Sequence, residues 1–248
     1  MIDQANCKNI VFDEWLASVL HRGVYTINVD QSFVEGDGKE LILNLQSKDL
    51  FLYSKVPVSQ TLMVHFLENL QFNLIETSIC FRKTNFPKYV FSGNAVIRFA
   101  DASDKSQLVK VAGQSFAYSR FHVDHHFSQE AANKIKADWA QNYFFDKRGD
   151  SMVVAVVDGV VRGFLQILED SSDSFVIDLI AVDKEFRHKG LASDMISYAQ
   201  RERKGCCQIR VTTQLVNLPS VRLYEKMGFV MEAAYYVFHY HSKNLKKK

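Results

Sequence analysis

The chain has 248 residues, 47% of them hydrophobic and 23% charged, with a formal net charge of +2 at neutral pH. That is an ordinary globular composition, long enough for a large core or two small domains, and a charge so near zero argues against nucleic acid as the main partner. Signal-like and bilayer-spanning patterns are missing, and the four cysteines (Cys7, Cys80, Cys206, Cys207) show no CxxC spacing, so reduced thiols in a cytoplasmic compartment without membrane insertion are expected.

In chain order, residues 49–56 form a strand-like run. The hexad Leu67-Glu68-Asn69-Leu70-Gln71-Phe72 then parallels Tyr224-Glu225-Lys226-Met227-Gly228-Phe229, and a strand-like run follows each. The first half therefore reads as a truncated copy of the second, with Leu67 in place of the tyrosine and no basic glycine turn; chance similarity over so short a window is the competing explanation. Turn formers at 84–94 mark the best boundary. Beyond it, 95–100 reads as a strand, Asp101 to Asp104 as a helix start with helix to about Phe116, and 129–143 as a helix capped by Ser128. Residues 152–157 and 160–168 flank Asp158-Gly159, whose tolerance of positive φ predicts a type I′ hairpin. A strand at 175–182, a helix from Leu191 to about Arg203, a strand at 207–213, a short helix and a last strand complete a β-α-α-β-β-β-α-β-α-β order. The terminal Lys246-Lys247-Lys248 run reads as a solvated tail.

The turn after the 175–182 strand is Arg187-His188-Lys189-Gly190-Leu191-Ala192. A strand, a basic turn and a helix start make an anion cradle, because first-turn N–H groups and the positive end of the helix dipole favour phosphate. Gly190 lets the backbone approach closely, Ala192 keeps the second helical position small, and Arg187, His188 and Lys189 add positive charge at the mouth. Past the 207–213 strand, Asn217 can cap, Pro219 fits a first turn and Gly228 ends the helix. Asn217, Ser220 and Tyr224 share one face of that helix. A phenol beside a phosphate turn suggests a site; the plainer alternatives are an aromatic packed on the sheet for Tyr224 and a simple cap for Asn217.

Together these two stretches resemble motifs A and B of the GNAT superfamily of acyl-CoA N-acyltransferases, over roughly residues 96–240. The resemblance implies an α+β fold with a mixed α/β sheet. A catalytic GNAT domain at 91–248 would follow a degenerate, truncated GNAT-like half-domain at 1–90. It implies acyl-coenzyme A as co-substrate and no metal. The diphosphate would rest on backbone amides of the loop Phe186–Ala192, with Leu191 and Ala192 at its end. The pantetheine arm would run past Ile180, Ala181 and Val182, between that strand and the one ending at Thr213, with Asn217 beside it. A backbone N–H near Leu179 to Ala181 would polarise the thioester carbonyl. Tyr224 would serve the departing thiolate, since a phenol of pKa about 10 stays protonated at neutral pH. Asp178 is a candidate base, although strand alternation equally allows its side chain to point away.

The segment Ser119-Arg120-Phe121-His122-Val123-Asp124-His125-His126 concentrates three histidines and an aspartate. A metal site, an acceptor-holding loop with a histidine or water relay, and a plain polar loop are all open, although the spacing matches no familiar metal site. Ala117-Tyr118-Ser119-Arg120-Phe121, followed by a helix bearing Trp139 and preceded by the degenerate half, is similar to the dTDP-4-amino-4,6-dideoxygalactose (fucosamine) acetyltransferases. It is consistent also with sugar 3-N-acyltransferases, some of which use 3-hydroxybutanoyl-CoA. That resemblance implies a dTDP-linked amino-dideoxy sugar made for bacterial surface polysaccharide such as O-antigen, with its amine at C3 or C4. Acetyl-CoA or 3-hydroxybutanoyl-CoA would be the donor, and Ser119, Arg120, Phe121, His122 and Asp124 would bind the acceptor in a homodimeric enzyme. Two other classes compete: a protein or peptide N-acetyltransferase, which calls for an acidic groove near the motifs, and a non-catalytic acyl-CoA-binding module, which predicts loss of the tyrosine.

Overall fold

The computed structural model describes residues 8–242; Cys7 and the lysine run at 246–248 lie outside the described residues. The chain divides into two compact units, Met1–Ser78 with Ala233–Lys248, and Ile79–Glu232. The sequence places the boundary near residue 90, after the strand that ends at Lys83. The compact units divide within that strand instead, because Ile79 and Phe81 are buried in the core of the second unit.

The first unit runs β1 (Ile10–Phe12), α1 (Glu14–Leu20), β2 (Gly23–Ile27), α2 (Gln31–Glu35), α3 (Gly38–Gln46), β3 (Leu50–Pro57), α4 (Thr61–Asn69) and the start of β4 (Asn73–Lys83). Two of its helices, α1 and α2, begin where a short acid occupies the cap: Asp13 accepts from the Leu16 amide at 2.9 Å, and Asp30 from the Phe33 amide at 2.8 Å. β1 and β2 pair antiparallel, and β2 and β3 parallel. Leu50, Leu52 and Val56 on β3, Ile42 and Leu45 on α3, and Leu67 on α4 form the core. Each such side chain contributes about 1.5–3 kcal/mol by leaving water.

The second unit takes the end of β4 and continues through β5 (Val96–Phe99), α5 (Lys105–Ser115), α6 (Arg120–Val123), α7 (Gln129–Gln141), β6 (Ser151–Val157), β7 (Val160–Ser171), β8 (Ser174–Val182), α8 (Leu191–Glu202), β9 (Gln208–Gln214), α9 (Leu218–Lys226) and the start of β10 (Val230–His241). Its strands lie in the order β4-β9-β8-β7-β6-β5. β5 to β8 pair antiparallel, whereas β8 and β9 are parallel, as the crossover helix α8 requires. The hairpin turn forms as expected, with φ of 51° at Asp158 and 75° at Gly159. Strand alternation divides β6 cleanly. Met152 and Val154 pack with α5 and α7, and Val153 and Ala155 pack with α8. The short helix α6 lies inside the segment expected as a loop. The remainder of β10 returns to the first unit and pairs antiparallel with β3.

Candidate active site

β8 carries an irregularity at its centre. Gln166 of β7 pairs with Leu179, but the next residue, Ile167, pairs with Ile177, which leaves Asp178 as the extra residue of a bulge. The bulge reverses the facing of the strand. Phe175 and Ile177 lie in the core under α8, whereas Leu179 and Ala181, at the same parity, lie in the core under α5 and α7. Simple alternation could not place Asp178, and the bulge does. On the other side of β8, register with β9 runs from Ser174–Gln208 to Ile177–Val211 and stops, while β8 continues to Val182 and β9 to Gln214. From Asp178 onward β8 is no longer in register with β9, so its edge there presents backbone groups that β9 does not engage.

That edge leads into the basic turn. His188 has φ 63° and Gly190 φ 86°, so the chain reverses through two left-handed residues before α8. Arg187 braces this turn, donating from Nε to the Val182 carbonyl at 3.2 Å and from its terminal nitrogen to Ser115 O at 2.8 Å. Lys189 Nζ lies 4.5 Å from the Phe186 ring centre. Leu191 is buried in the core and Ala192 half-buried, so their contribution to the turn is backbone amides. Gly190 is also under a steric constraint: a Cβ there would stand 2.9 Å from Ser92 Cβ. The glycine makes room for the segment after β4. That segment is fastened by Asp194, which accepts from Tyr89 OH at 2.8 Å, Ser92 N at 3.1 Å and Ser92 Oγ at 2.5 Å, while Asn94 donates to Lys189 O at 2.9 Å. Burial and the Asp194 carboxylate push the Tyr89 phenol up to about 12. A cavity of about 350 Å³ runs between this segment and α8, lined by Lys83, Lys88, Ser193, Gln200 and Lys226 among others. Burial lowers the pKa of Lys83.

On α9, Asn217 is the cap: its Oδ1 accepts from Ser220 N at 3.4 Å, and its amide donates to Thr213 Oγ1 at 3.3 Å. Tyr224 is 2% exposed, its ring 5.8 Å from Phe81 and 5.4 Å from Phe229. Desolvation raises the phenol pKa above its ordinary value, so the group holds its proton firmly.

Asp178 is heavily bonded. Oδ2 accepts from Trp139 Nε1 at 2.9 Å and Arg148 Nε at 2.7 Å, and Oδ1 from the Arg148 terminal nitrogen at 2.6 Å. Gln166 Nε2 adds a fourth contact at 3.3 Å. Through these bonds Asp178 ties α7 and the loop before β6 to the bulge.

The 119–126 segment is ordered by its own polar groups. Ser119 Oγ lies 2.6 Å from His122 Nδ1, and His122 Nε2 lies 3.0 Å from Asn133 Oδ1 on α7. Burial lowers the His122 pKa and the Lys136 charge lowers it further, so the ring is neutral at pH 7. Asp124 accepts from the His126 amide at 2.9 Å and the His126 ring at 3.0 Å. Phe121 is 1% exposed and meets Phe127 edge-on, while the Arg120 guanidinium lies over its ring at 4.7 Å. Of the five expected acceptor-binding residues, Ser119, Phe121, His122 and Asp124 are buried and only Arg120 is part-exposed.

Arg148 and Gln166 escaped the sequence reading. Gln166 left a signal: it is the one polar residue in the run Phe164-Leu165-Gln166-Ile167-Leu168, and it is 0% exposed. The role of Arg148 depends on a contact distant in sequence and left none.

The profile of the acetyltransferase (GNAT) family matches residues 117–229, the segment that holds the bulge, the basic turn and Tyr224. A Bacillus subtilis (strain 168) protein, Spore coat polysaccharide biosynthesis protein SpsD, is 35% identical over 141 residues, 56% of this chain and 48% of the relative, so the match spans about half of that protein. Among solved structures, the GCN5-related N-acetyltransferase from Sphaerobacter thermophilus superposes with a TM-score of 0.64 at 13% identity, over 89% of this chain and 73% of that one. The tandem GNAT protein from the clavulanic acid biosynthesis pathway superposes with a TM-score of 0.59 at 10% identity, over 89% and 75%. At such low identities these two likenesses establish the fold. Over residues 117–229 the chain is thus similar to the GNAT family of acetyltransferases.

Proposed function

We propose that the protein transfers an acyl group from acyl-coenzyme A to the amine of a dTDP-linked amino-dideoxy sugar, in the cytoplasmic assembly of a surface polysaccharide. The observation that carries this reading is the end of β8–β9 pairing after Ile177, in the strand that leads to the turn at Arg187 to Ala192 and ahead of the helix bearing Tyr224. These residues fit the co-substrate. The backbone of Ile180, Ala181 and Val182 would hold the pantetheine arm. Amides from His188 to Ala192 would hold the diphosphate, and Lys83, Lys88 and Lys226 around the α8 cavity supply charge for the nucleotide end. The identity to a protein named for spore coat polysaccharide biosynthesis supports a sugar acceptor.

In the reaction the amine nitrogen attacks the thioester carbon, the C–S bond breaks, and the sulfur leaves as thiolate. A backbone N–H at the bulge stabilises the oxygen charge of the tetrahedral species. Because burial raises its pKa, Tyr224 acts first as a hydrogen-bond donor to the thiolate. Complete transfer of its proton is uphill and is offset by the proton that the nitrogen loses on becoming an amide, so the phenol is restored and free thiol is the product.

The test is thiol release with a panel of dTDP-3-amino and dTDP-4-amino sugars, each with acetyl-CoA and 3-hydroxybutanoyl-CoA, beside lysine peptides. Turnover of at least one amino sugar is expected. Turnover of peptides alone would overturn the acceptor, and coenzyme A binding without turnover of any amine would leave a binding module.

A further inference from the structure

Gln166 is a buried polar residue of β7 whose amide oxygen has no hydrogen-bond partner among the described residues. Its side chain is 0% exposed, and its Nε2 donates to Arg148 O at 3.2 Å and to Asp178 Oδ2 at 3.3 Å. No hydrogen-bond donor among the described residues reaches its Oε1. The amide cannot be turned over to relieve this, because the oxygen would then face the Arg148 carbonyl and the Asp178 carboxylate, both acceptors. Nor can the group withdraw. Gly149, at φ 98°, lies over it so closely that a Cβ would stand 3.0 Å from Nε2 and 3.1 Å from Cγ. The surrounding bonds thus fix the direction of a buried lone-pair acceptor, and burial of such a group without a partner is costly.

Its place in the sheet gives the cost a purpose. Gln166 is paired with Leu179, the residue immediately after the Asp178 bulge, one strand away from the edge where β8–β9 pairing ends. Trp139 and Arg148 converge on the same bulge from α7 and the loop before β6. We propose that Gln166 Oε1 receives an N–H of the acceptor amine, orients its lone pair toward the thioester, and makes the site selective for acceptors that carry a donor at that atom. This rests on the acyl-transfer reading above. Asp178 and Arg148 are positioning residues for the glutamine amide, and Gln166 touches the substrate.

Gln166→Met keeps length and removes the acceptor. With the dTDP-amino sugar that the parent enzyme turns over, the acceptor KM is expected to rise about tenfold or more, while the acetyl-CoA Kd by calorimetry stays within twofold. The parent should also bind that sugar about tenfold more tightly than the same sugar carrying hydrogen in place of the amine, and the preference should vanish in the variant. Equal preference in both proteins would overturn the assignment. Should the variant fail to fold, the carbonyl carbon shift of Gln166 in labelled parent enzyme decides: it is expected to move with the amino sugar and not with acetyl-CoA alone, and an unmoved signal refutes the contact. If the parent neither binds acetyl-CoA nor acylates any amine, the proposed function falls instead, so the two failures are distinct.

Discussion

Between β3 and β4, and again between β9 and β10, the chain makes the same excursion. Gln60 N bonds Pro57 O at 3.0 Å, and Asn217 N bonds Gln214 O at 2.9 Å. After the helix, Gln71 and Gly228 both take left-handed φ, at 63° and 80°. Phe72 N returns to Leu67 O at 3.0 Å and Phe229 N to Tyr224 O at 2.9 Å. The strands before each excursion also correspond. β2 pairs with β3 up to Ile27–Ser54, and β8 with β9 up to Ile177–Val211. There β2 ends, whereas β8 continues through the bulge to Val182. The two halves thus share the scaffold and differ in the additions: five more strand residues, a phenol for Leu67, and a basic turn. A fold of this kind is held by its strand–helix–strand core, and under the proposed function the chemistry is added at the point where the pairing of two parallel strands ends.

Making the second excursion resemble the first should have its largest effect at Tyr224. Tyr224→Phe removes only the hydroxyl and is expected to lower kcat about 10²- to 10³-fold with the acyl-CoA Kd unchanged. Tyr224→Leu copies Leu67 and should be at least as severe. Unaltered thiol release in the phenylalanine variant would remove the phenol from the mechanism. The same residue bears on alkaline stability. Its pKa is raised on folding, so its contribution is complete below the unfolded value of about 10 and is lost as pH climbs beyond it. Urea titrations above pH 10 should show the phenylalanine variant losing less stability per pH unit than the parent.

Next in size is Gly190. Valine there meets both a φ of 86° and the Ser92 side chain, so the acyl-CoA KM is expected to rise about tenfold or more. Ser92→Gly removes the clash but not the backbone strain, and should restore part of the donor affinity to Gly190→Ala. Identical affinities with and without Ser92→Gly would place the effect at the diphosphate rather than at the segment after β4.

How far the sequence carried this picture depends on the range of the interaction. The hairpin at Asp158-Gly159, the cap at Asn217 and the stop at Gly228 are set by neighbours within a turn or two, and each was legible. The echo of Leu67–Phe72 in Tyr224–Phe229 was legible too, because the turn fixes its residues locally. The bulge at Asp178 was not: it adds one residue to a strand without changing its apolar pattern, and only pairing with β7 reveals it. Division of the chain within β4 was equally hidden, since the residues after Ser78 continue one strand and differ only in which core receives them. The burial of Ser119, Phe121, His122 and Asp124 comes from α6, too short at four residues to register as a helical period.

Asp178 supplies a smaller test. By the strand correspondence Asn28 follows Ile27 as Asp178 follows Ile177, so Asp178→Asn copies the first unit into the second. The substitution weakens a bidentate pair whose acid side chain is 8% exposed and whose arginine is 40% exposed. With solvent screening on the arginine side, a loss of about 1–3 kcal/mol in chemical denaturation is expected. As an anchor, Asp178 should leave the acidic limb of the kcat–pH profile where it was; disappearance of that limb in the asparagine variant would restore it as the base.

The finest distinction lies at the two caps. Asn217 bonds the amide of Ser220, whereas Gln60, at the matching position, makes no side-chain bond to its helix. One more methylene is the reason: the shorter amide reaches the first-turn N–H from a capping backbone, and the longer one overshoots it. Exchange of the two residues should therefore move stability in opposite directions. Asn217→Gln is expected to cost about 1 kcal/mol, and Gln60→Asn to add about 0.5–1 kcal/mol, both read from urea midpoints at constant slope. Neither touches Tyr224, so kcat should hold in the Gln60 variant. A Gln60→Asn protein no more stable than its parent would mean that the α4 start differs from that of α9 in more than its side chain, and that the likeness of the two excursions ends at their N-terminal turns.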